Sequence, residues 1–241
     1  MDRLAHAVSS SGVWNTCRDL AQLFGLQPQR DWGADRRFDA THGTDTSGSV
    51  EVEALGFSDS DAHAQAIRYL PSPDYLTRWL LNTVDVDPRQ TAFVDVGCGK
   101  GRVIAVASEF PFQRIIGIDL SSDLVATAVR NAGVLALRFP ARTAIEAKVA
   151  DAATFAYPDQ SLLLHLYHPF RAAVLARVLD NLQSSVRHRP RRVVVAYLLY
   201  TAAIDDVLAT FASHPWLPLA RREGSVLGQH DWLIFDSSAA S

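Results

Sequence analysis

The chain has 241 residues and a mass of 26.4 kDa, enough for one large domain and too little for two ordinary enzymes. Its 23 basic and 26 acidic side chains give a net charge of −3, which argues against a surface built throughout to clamp nucleic acid. Hydrophobic residues make up 48%, a proportion typical of folded globular proteins. Two cysteines without a CxxC motif argue against a disulfide framework or a cysteine-rich zinc site.

The sequence contains no run of about 20 apolar residues, the length that a membrane-spanning helix needs. The first residues also lack the long apolar segment of a secretory signal. These features predict a cytoplasmic protein that does not interact with a membrane.

The first 70 residues are predicted to form a lid of helix and loop. Apolar side chains recur at helical spacing over 13–25, which indicates an amphipathic helix. Residues 28–63 are polar and rich in glycine, so we expect loops there. Ser72-Pro73-Asp74 then combines a capping hydroxyl, a proline suited to the first helical position and an acid at the positive end of the dipole. This pattern predicts a helix over 73–84.

From residue 91 short apolar runs alternate with helical patterns. This order is typical of right-handed βαβ crossovers, and it predicts an α/β fold with a mostly parallel sheet and helices on both faces. Residues 237–241 are expected to fray. The expected strands are 91–96, 114–120, 144–149, 161–167 and 192–200, with a final hairpin of 217–222 and 230–236; the expected helices are 102–110, 121–134, 170–185 and 202–212.

The strongest motif is VDVGCGKGR at 94–102, between the first predicted strand and its helix. Ligands of open α/β sheets bind at the carboxyl ends of strands, and alternating glycines let the backbone approach a ligand closely. A dinucleotide fingerprint would need a third glycine where Arg102 stands, so a nicotinamide-dependent oxidoreductase is disfavoured. Asp95 is also a poor neighbour for a phosphate and a good neighbour for a cation.

The pattern D-x-G-x-G-x-G resembles motif I of class I S-adenosylmethionine (SAM)-dependent methyltransferases. The resemblance covers about residues 70–236 and implies a Rossmann-like, seven-stranded sheet with six parallel strands and a last antiparallel one. It implies a SAM-binding methyltransferase domain over 71–236, after the 1–70 lid. In that family the loop faces the methionine part of SAM, which assigns to the cofactor site Asp95, Gly97, Cys98, Gly99 and Gly101.

Two further strand ends support the resemblance. Asp119 ends the second strand, 20 positions after Gly99, where a carboxylate can accept hydrogen bonds from both ribose hydroxyls. The resemblance places Leu120 beside it, and it places Asp151 and Ala152, after the third strand, at the adenine. An ordinary turn aspartate is the alternative interpretation of Asp151.

The fourth strand ends in Tyr167-His168-Pro169-Phe170. In the family this position lies beside the transferred methyl group, and methyltransferases that act on planar nitrogens often carry [DN]PP[YF] there. The histidine departs from that pattern. We expect His168 and Tyr167 to be catalytic, with His168 either orienting or deprotonating the acceptor, and Phe170 to form an aromatic wall. A structural histidine at a strand end is an equal alternative for His168.

The stretch FDATHGTDTSG at 38–48, followed by Tyr69 in a Tyr-x-Pro-Ser element, resembles a group of uncharacterised bacterial methyltransferases. That resemblance implies that Tyr69 contacts SAM and that His42 or Asp45 lines the acceptor pocket; a surface loop is the alternative. The eight histidines show no HExxH motif, and we predict no catalytic metal.

We therefore expect SAM-dependent N- or O-methylation of an acceptor, with a small molecule favoured. A protein lysine or arginine is an alternative acceptor, and a SAM-binding protein without methyl transfer is an alternative function. The basic run 187–192 could meet RNA, but it lacks interleaved aromatic residues, so we expect a solvated loop and no nucleic-acid partner.

Overall fold

The computed structural model describes residues 32–56, 64–200, 204–224 and 230–239. Seven strands form one sheet in the order β3-β2-β1-β4-β5-β7-β6. Strands β1 to β5 pair in parallel, whereas β7 is antiparallel to both β5 and β6. Six strands therefore share one direction and β7 opposes them, as predicted. The strands are β1 Thr91–Val96, β2 Arg114–Asp119, β3 Ile145–Val149, β4 Ser161–Tyr167, β5 Val193–Tyr200, β6 Leu219–Gly224 and β7 His230–Asp236.

The helices between the strands follow the predicted alternation. None of the helices in the described part of the chain has the length and apolarity that crossing a membrane requires. The helix expected over 13–25 lies outside the described residues. The described helices are α1 Trp32–His42, α2 Asp74–Thr83, α3 Arg102–Ala107, α4 Ser122–Arg138, α5 Ala172–His188 and α6 Ile204–Ala212, with short 3-10 turns at Val52–Ala54, Pro88–Gln90 and Ser237–Ala239.

Helix α3 is shorter than expected, whereas α4 is longer. The amides of Glu109 and Phe110 bond three residues back rather than four, which tightens the chain before Pro111, a residue that disfavours helix at the position preceding it. Helix α4 begins as expected, because the Ser121 hydroxyl accepts a hydrogen bond from the Leu124 amide.

The central strands are buried on both faces, so their sequences are continuous apolar runs rather than alternating ones. Helices α5 and α6 cover one face of the sheet, and helices α2 and α3 cover the other. The first core includes Leu175, Val178, Leu179, Leu182 and Phe211, and the second includes Leu76, Leu80, Leu81, Val103 and Ile104.

The expectation of loops throughout 28–63 is wrong for α1. Its glycines lie at the ends of the helix rather than inside it: Gly33 is in the first turn, and Gly43 follows the last residue with φ +73°. A left-handed glycine after the last helical residue is a common helix stop. Asp35 and Phe38 on α1 are buried, so contacts with the rest of the protein stabilise this helix. Its polar composition therefore did not indicate a helix.

Candidate functional site

A cleft opens at the carboxyl ends of β1, β2 and β4, where the strand order reverses between β1 and β4. Open α/β sheets bind their ligands at this kind of position. The cleft and the solvent at its mouth together occupy about 870 Å³, and residues 65–70 form part of the lining. The structure brings together nine of the predicted site residues along its wall: Tyr69, Gly97, Asp119, Leu120, Asp151, Ala152, Tyr167, His168 and Phe170.

The glycine loop is shaped by what packs on it. All three glycines of the motif have positive φ, and a Cβ on Gly97 would lie 2.5 Å from Pro169 Cβ. A Cβ on Gly99 would lie 2.2 Å from the ring of Tyr69. The absence of side chains therefore lets the end of β4 and the 65–70 segment close onto the loop. Gly101 has φ +88° and caps α3.

Cys98 lies inside the same loop but does not line the cleft. Its side chain is buried and packs against Gly117, where a Cβ would lie 2.9 Å from the sulfur. Burial, and then the charges of Asp119 and Asp95, raise the pKa of the Cys98 thiol well above its usual value. The thiol is therefore neutral and contributes packing rather than nucleophilic chemistry.

Asp119 is held in place by two backbone amides. Its Oδ2 accepts a hydrogen bond from the Gly99 N–H, and its Oδ1 accepts one from the Ser121 N–H, both at 2.9 Å. Burial raises the pKa of Asp119, and the charge of Asp95 adds to this, while the amide hydrogen bonds oppose it. Each carboxylate oxygen keeps a further lone pair, which can accept a hydrogen bond from a hydroxyl group of a ligand.

The loop after β3 forms the adjoining wall. Asp151 Oδ1 accepts a hydrogen bond of 2.9 Å from the Ala153 amide. The Ala152 carbonyl accepts hydrogen bonds from the Tyr157 hydroxyl at 3.1 Å and from the Asn181 amide at 3.2 Å. These two bonds hold the loop in place. Leu120 remains 44% exposed, and its apolar surface is available at the cleft.

Asp95 points away from the cleft. The residue is 2% exposed, and its Oδ1 lies 2.7 Å from Nδ1 of His165, a fully buried residue directly opposite it on β4. The acidic residue of the motif thus joins the two strands between which the cleft opens. The sequence motif indicated a polar partner for Asp95 but not which residue supplies it.

At the end of β4, two consecutive residues each pair with a residue from a distant strand. The Tyr167 hydroxyl lies 2.8 Å from Nε2 of His230 on β7, and His168 Nδ1 lies 3.3 Å from the hydroxyl of Tyr197 on β5. His168 also has φ +39°, a backbone conformation that is costly for a residue with a side chain. Sequence reasoning missed Tyr197 and His230, because only the order of strands in the sheet brings them here.

We call residues 64–70 the strap, because residues 65–70 line the cleft and the segment forms bridges to two other parts of the chain. The strap forms a β-bridge between Ala66 and Phe170 and another between Val50 and Tyr69. The Tyr69 hydroxyl also donates a hydrogen bond of 2.7 Å to the Thr46 carbonyl. The strap is thus fixed at one end to the β4–α5 connection and at the other to the segment after α1.

His42 and Asp45 are not at the cleft. His42 is buried, its Nδ1 lies 2.8 Å from the Phe38 carbonyl oxygen, and its Nε2 lies 3.5 Å from a carboxylate oxygen of Glu109. Asp45 pairs with Lys100 at 3.2 Å. Both residues attach the N-terminal segment to the sheet domain.

The stretch after α1 is folded around one carboxylate, that of Asp39. This group accepts hydrogen bonds from the hydroxyls of Thr44, Thr46 and Ser47, and from two backbone amides. Burial opposes ionisation, but the hydrogen bonds from Ser47, Thr46 and Thr44 outweigh it and lower the pKa of Asp39. The FDATHGTDTS motif is therefore explained by local structure.

The same stretch docks onto the start of α3 through Arg102. The Arg102 side chain is buried; Nη1 donates to Asp35 at 2.9 Å, and Nε donates to the Thr46 hydroxyl at 2.5 Å. Its guanidinium also stacks 4.3 Å from the centre of the Phe38 ring. Asn131 adds hydrogen bonds to the backbone of Asp45. The N-terminal segment is thus tied to the residue that follows the glycine loop.

The basic run 187–192 is largely engaged in local contacts. Arg191 donates to the carbonyls of Ser185 and Arg189, and Arg192 pairs with Asp236 at 2.7 Å. In residues 32–56, 64–200, 204–224 and 230–239, no group of three or more histidine, cysteine or acidic side chains is arranged to hold a metal ion.

Comparison with known proteins agrees with this architecture. Residues 93–188 match a family model described as a methyltransferase domain. No curated protein sequence is significantly similar to the chain.

Solved methyltransferase structures share the fold of this domain at low sequence identity. A SAM-dependent methyltransferase from Aquifex aeolicus has a TM-score of 0.53 and 14% identity, over 69% of this chain and 94% of that one. TrmN from Thermus thermophilus has a TM-score of 0.51 and 18% identity, over 69% and 49% of the two chains. The ribosomal protein L11 methylase from Lactobacillus delbrueckii subsp. bulgaricus has a TM-score of 0.50 and 14% identity, over 66% and 75%.

The cleft fits SAM, the cofactor that the sequence motif implies, in its chemistry. Asp119 offers anchored acceptor oxygens for hydroxyl groups, and Leu120 offers exposed apolar surface for a base. Gly97 lines the cleft and has no side chain, so its backbone can contact a ligand directly. A Cβ at this position would also clash with Pro169. These groups suit an adenosine linked to an amino acid better than a pyrophosphate.

Proposed function

We propose that the chain transfers the methyl group of SAM to a small-molecule acceptor bound at the end of β4, beneath the strap. The observation that carries the proposal is one continuous cleft that reaches from Asp119 and Asp151 to Tyr167 and Phe170.

In this proposal the two halves of the cleft have different roles. Asp119 accepts hydrogen bonds from the ribose hydroxyls, and Leu120, Asp151 and Ala152 border the adenine. The glycine loop and Tyr69 border the methionine part, of which Gly97 and Tyr69 contribute directly to the cleft wall. Four other residues of the motif do not line the cleft and instead shape the glycine loop: Asp95, Cys98, Gly99 and Gly101.

The end of β4 forms the acceptor half. Tyr167, His168 and Phe170 line it, and the strap is hydrogen-bonded to the same connection, since the Arg171 amide donates to the Gln65 carbonyl at 3.3 Å. A protein or RNA acceptor would have to enter past this bonded segment. A small molecule needs only the space between the strap and β4, which favours small acceptors over lysine or arginine side chains of a protein.

SAM supplies the reactive methyl group when it is bound. The chain contributes alignment of the acceptor and exclusion of water, and such positioning can lower a barrier by roughly 7–11 kcal/mol. The strap, the Phe170 ring and the apolar side chain of Val174 provide the water-excluding surface of the cleft.

The cofactor half is tested by Asp119→Ala, with Asp123→Ala as control. Asp123 is an exposed acid in the first turn of α4, close in sequence but not on the cleft wall. Hydrogen bonds to a charged group contribute about 1.5–3 kcal/mol, so Asp119→Ala should weaken SAM binding at least about tenfold in calorimetry, and Asp123→Ala should leave it unchanged. Equal affinity of the Asp119 variant and the parent would contradict the ribose role.

The acceptor half is tested with isotopically labelled SAM and a panel of small metabolites, protein extract and total tRNA. Conversion of SAM to S-adenosylhomocysteine with small metabolites supports the proposal. Methylation confined to protein or tRNA would overturn it.

A further inference from the structure

We propose that His168 is held as a hydrogen-bond donor, and that the acceptor is a carboxylate that arrives already ionised and leaves as a methyl ester. This inference rests on the proposed function above, and it assigns the chemistry of the acceptor half of the same cleft.

His168 is placed by its backbone and by its neighbours. It is the one non-glycine residue with positive φ in the described part of the chain. The next residue, Pro169, packs against Gly97, which holds the turn in this conformation. Strained backbone that lines a ligand cleft is a frequent sign of a functional position.

The partner of His168 decides which ring nitrogen carries the proton. The Tyr197 side chain is fully buried, and its hydroxyl lies 3.3 Å from His168 Nδ1. Burial raises the pKa of Tyr197, so its hydroxyl keeps its hydrogen and needs an acceptor. Nδ1 is the acceptor that the structure provides. It therefore keeps its lone pair, and the proton of a neutral ring resides on Nε2.

The ring is neutral at pH 7. Burial, and then the charge of Arg171, lower the pKa of His168, while Asp206 opposes them. His168 lines the cleft and Tyr197 does not, so the ring edge opposite Nδ1, with its Nε2–H, faces the acceptor. The Nε2–H can donate a hydrogen bond to an oxygen of the methyl acceptor, but it cannot take a proton from it.

The charges around the acceptor half agree with this assignment. The two carboxylates among the described lining residues, Asp119 and Asp151, belong to the cofactor half, whereas Arg68 lies in the strap. An amine would have to lose its proton before transfer and a phenol would need a base, which a neutral ring with its proton on Nε2 does not supply. A carboxylic acid has a pKa of about 4 and is ionised at pH 7, so it needs no base.

The resulting reaction is balanced without proton transfer. A lone pair of one carboxylate oxygen forms the new O–CH₃ bond as the S–CH₃ bond breaks. The sulfonium becomes the neutral thioether of S-adenosylhomocysteine, and the carboxylate becomes a neutral ester. The Nε2–H of His168 orients the carboxylate before transfer.

The tautomer is measured directly by long-range ¹H–¹⁵N NMR on the full chain, labelled with ¹⁵N and saturated with S-adenosylhomocysteine at pH 7.5. His168→Gln assigns the signals. The proposal predicts protonated Nε2 and unprotonated Nδ1, and a loss of this preference in Tyr197→Phe. A protonated Nδ1 or a cationic ring in the parent would overturn it. Saturation with S-adenosylhomocysteine in the same samples tests the proposed function separately.

The acceptor class is tested with three probes of one skeleton, 4-phenylbutyrate, 4-phenylbutylamine and 4-butylphenol, together with other matched sets. We expect methyl esters from carboxylates alone. Methylated amines or phenols, or no ester from any carboxylate, would reject the assignment. Glutamine retains an N–H donor, so His168→Gln should keep turnover within about tenfold of the parent; a lost base would instead lower it about 10²–10⁴-fold, as far as His168→Ala.

Discussion

A methyl group added at Gly99 should destabilise the protein and weaken its affinity for SAM. The Cβ of Gly99→Ala would lie 2.2 Å from Tyr69 Cε2, and the ring cannot easily move, because Tyr69 is buried and its hydroxyl is bonded to Thr46. Gly99 also has φ +53°, a conformation that costs an alanine about 1–2 kcal/mol. Overpacking of a buried site adds about 1–3 kcal/mol, for a total of about 2–5 kcal/mol.

Two other glycines separate these contributions. Gly48 has φ +87° with no atom within 4 Å of the added Cβ, so Gly48→Ala should show the backbone cost alone, about 1–2 kcal/mol. Gly133 lies inside α4 with open space around it, so Gly133→Ala should stabilise the protein by about 0.8–1 kcal/mol through helix propensity.

The assay is urea unfolding of all three variants, with calorimetric titration of SAM. In a double-mutant cycle, Gly99→Ala should cost about 1–3 kcal/mol less when residue 69 is alanine than when it is tyrosine, because the ring that the methyl group meets is then absent. Tyr69→Phe should lower this cost little, since it keeps the ring. If Gly99→Ala and Gly48→Ala cost the same, the contact with Tyr69 does not constrain the loop and the reasoning is refuted.

Two further predictions concern the docking of the N-terminal segment. Arg102→Ala breaks the buried ion pair with Asp35 and should cost about 3–5 kcal/mol in urea unfolding. Arg114→Ala, which removes an exposed pair, should cost less than about 1 kcal/mol; equal costs would contradict the contribution of the buried pair. The lowered pKa of Asp39 contributes stability that is complete above about pH 5 and is lost as the pH falls through 3.9 and below. Asp39→Asn should therefore flatten the acid limb of the melting-temperature profile, and an unchanged limb would exclude this contribution.

The strands could be predicted because parallel strands buried on both faces have continuous apolar sequences. Thr91–Val96 and Ser161–Tyr167 match the expected bounds at both ends. Helix α1 could not be predicted in this way, since much of its stabilisation comes from Arg102, which lies 60 or more positions further along the chain.

The same distinction between local pattern and long-range contact applies to the candidate site. Asp119 and the glycine loop are local motifs, and the sequence places them correctly at one strand end each. The partners of Asp95, Tyr167 and His168 come from β4, β7 and β5, so they depend on strand order and register. Single-sequence periodicity carries no information about which distant strands become neighbours.

The buried guanidinium of Arg102 bears on how far this protein can be dissected. A fragment that starts at residue 71 retains all seven strands found in the described part of the chain. It would nevertheless lose Asp35, Phe38 and Thr46, which pair with, stack on and bond to the Arg102 side chain immediately after the glycine loop. We therefore expect the first 70 residues and the sheet to be inherited, engineered and exchanged as one unit rather than as interchangeable parts.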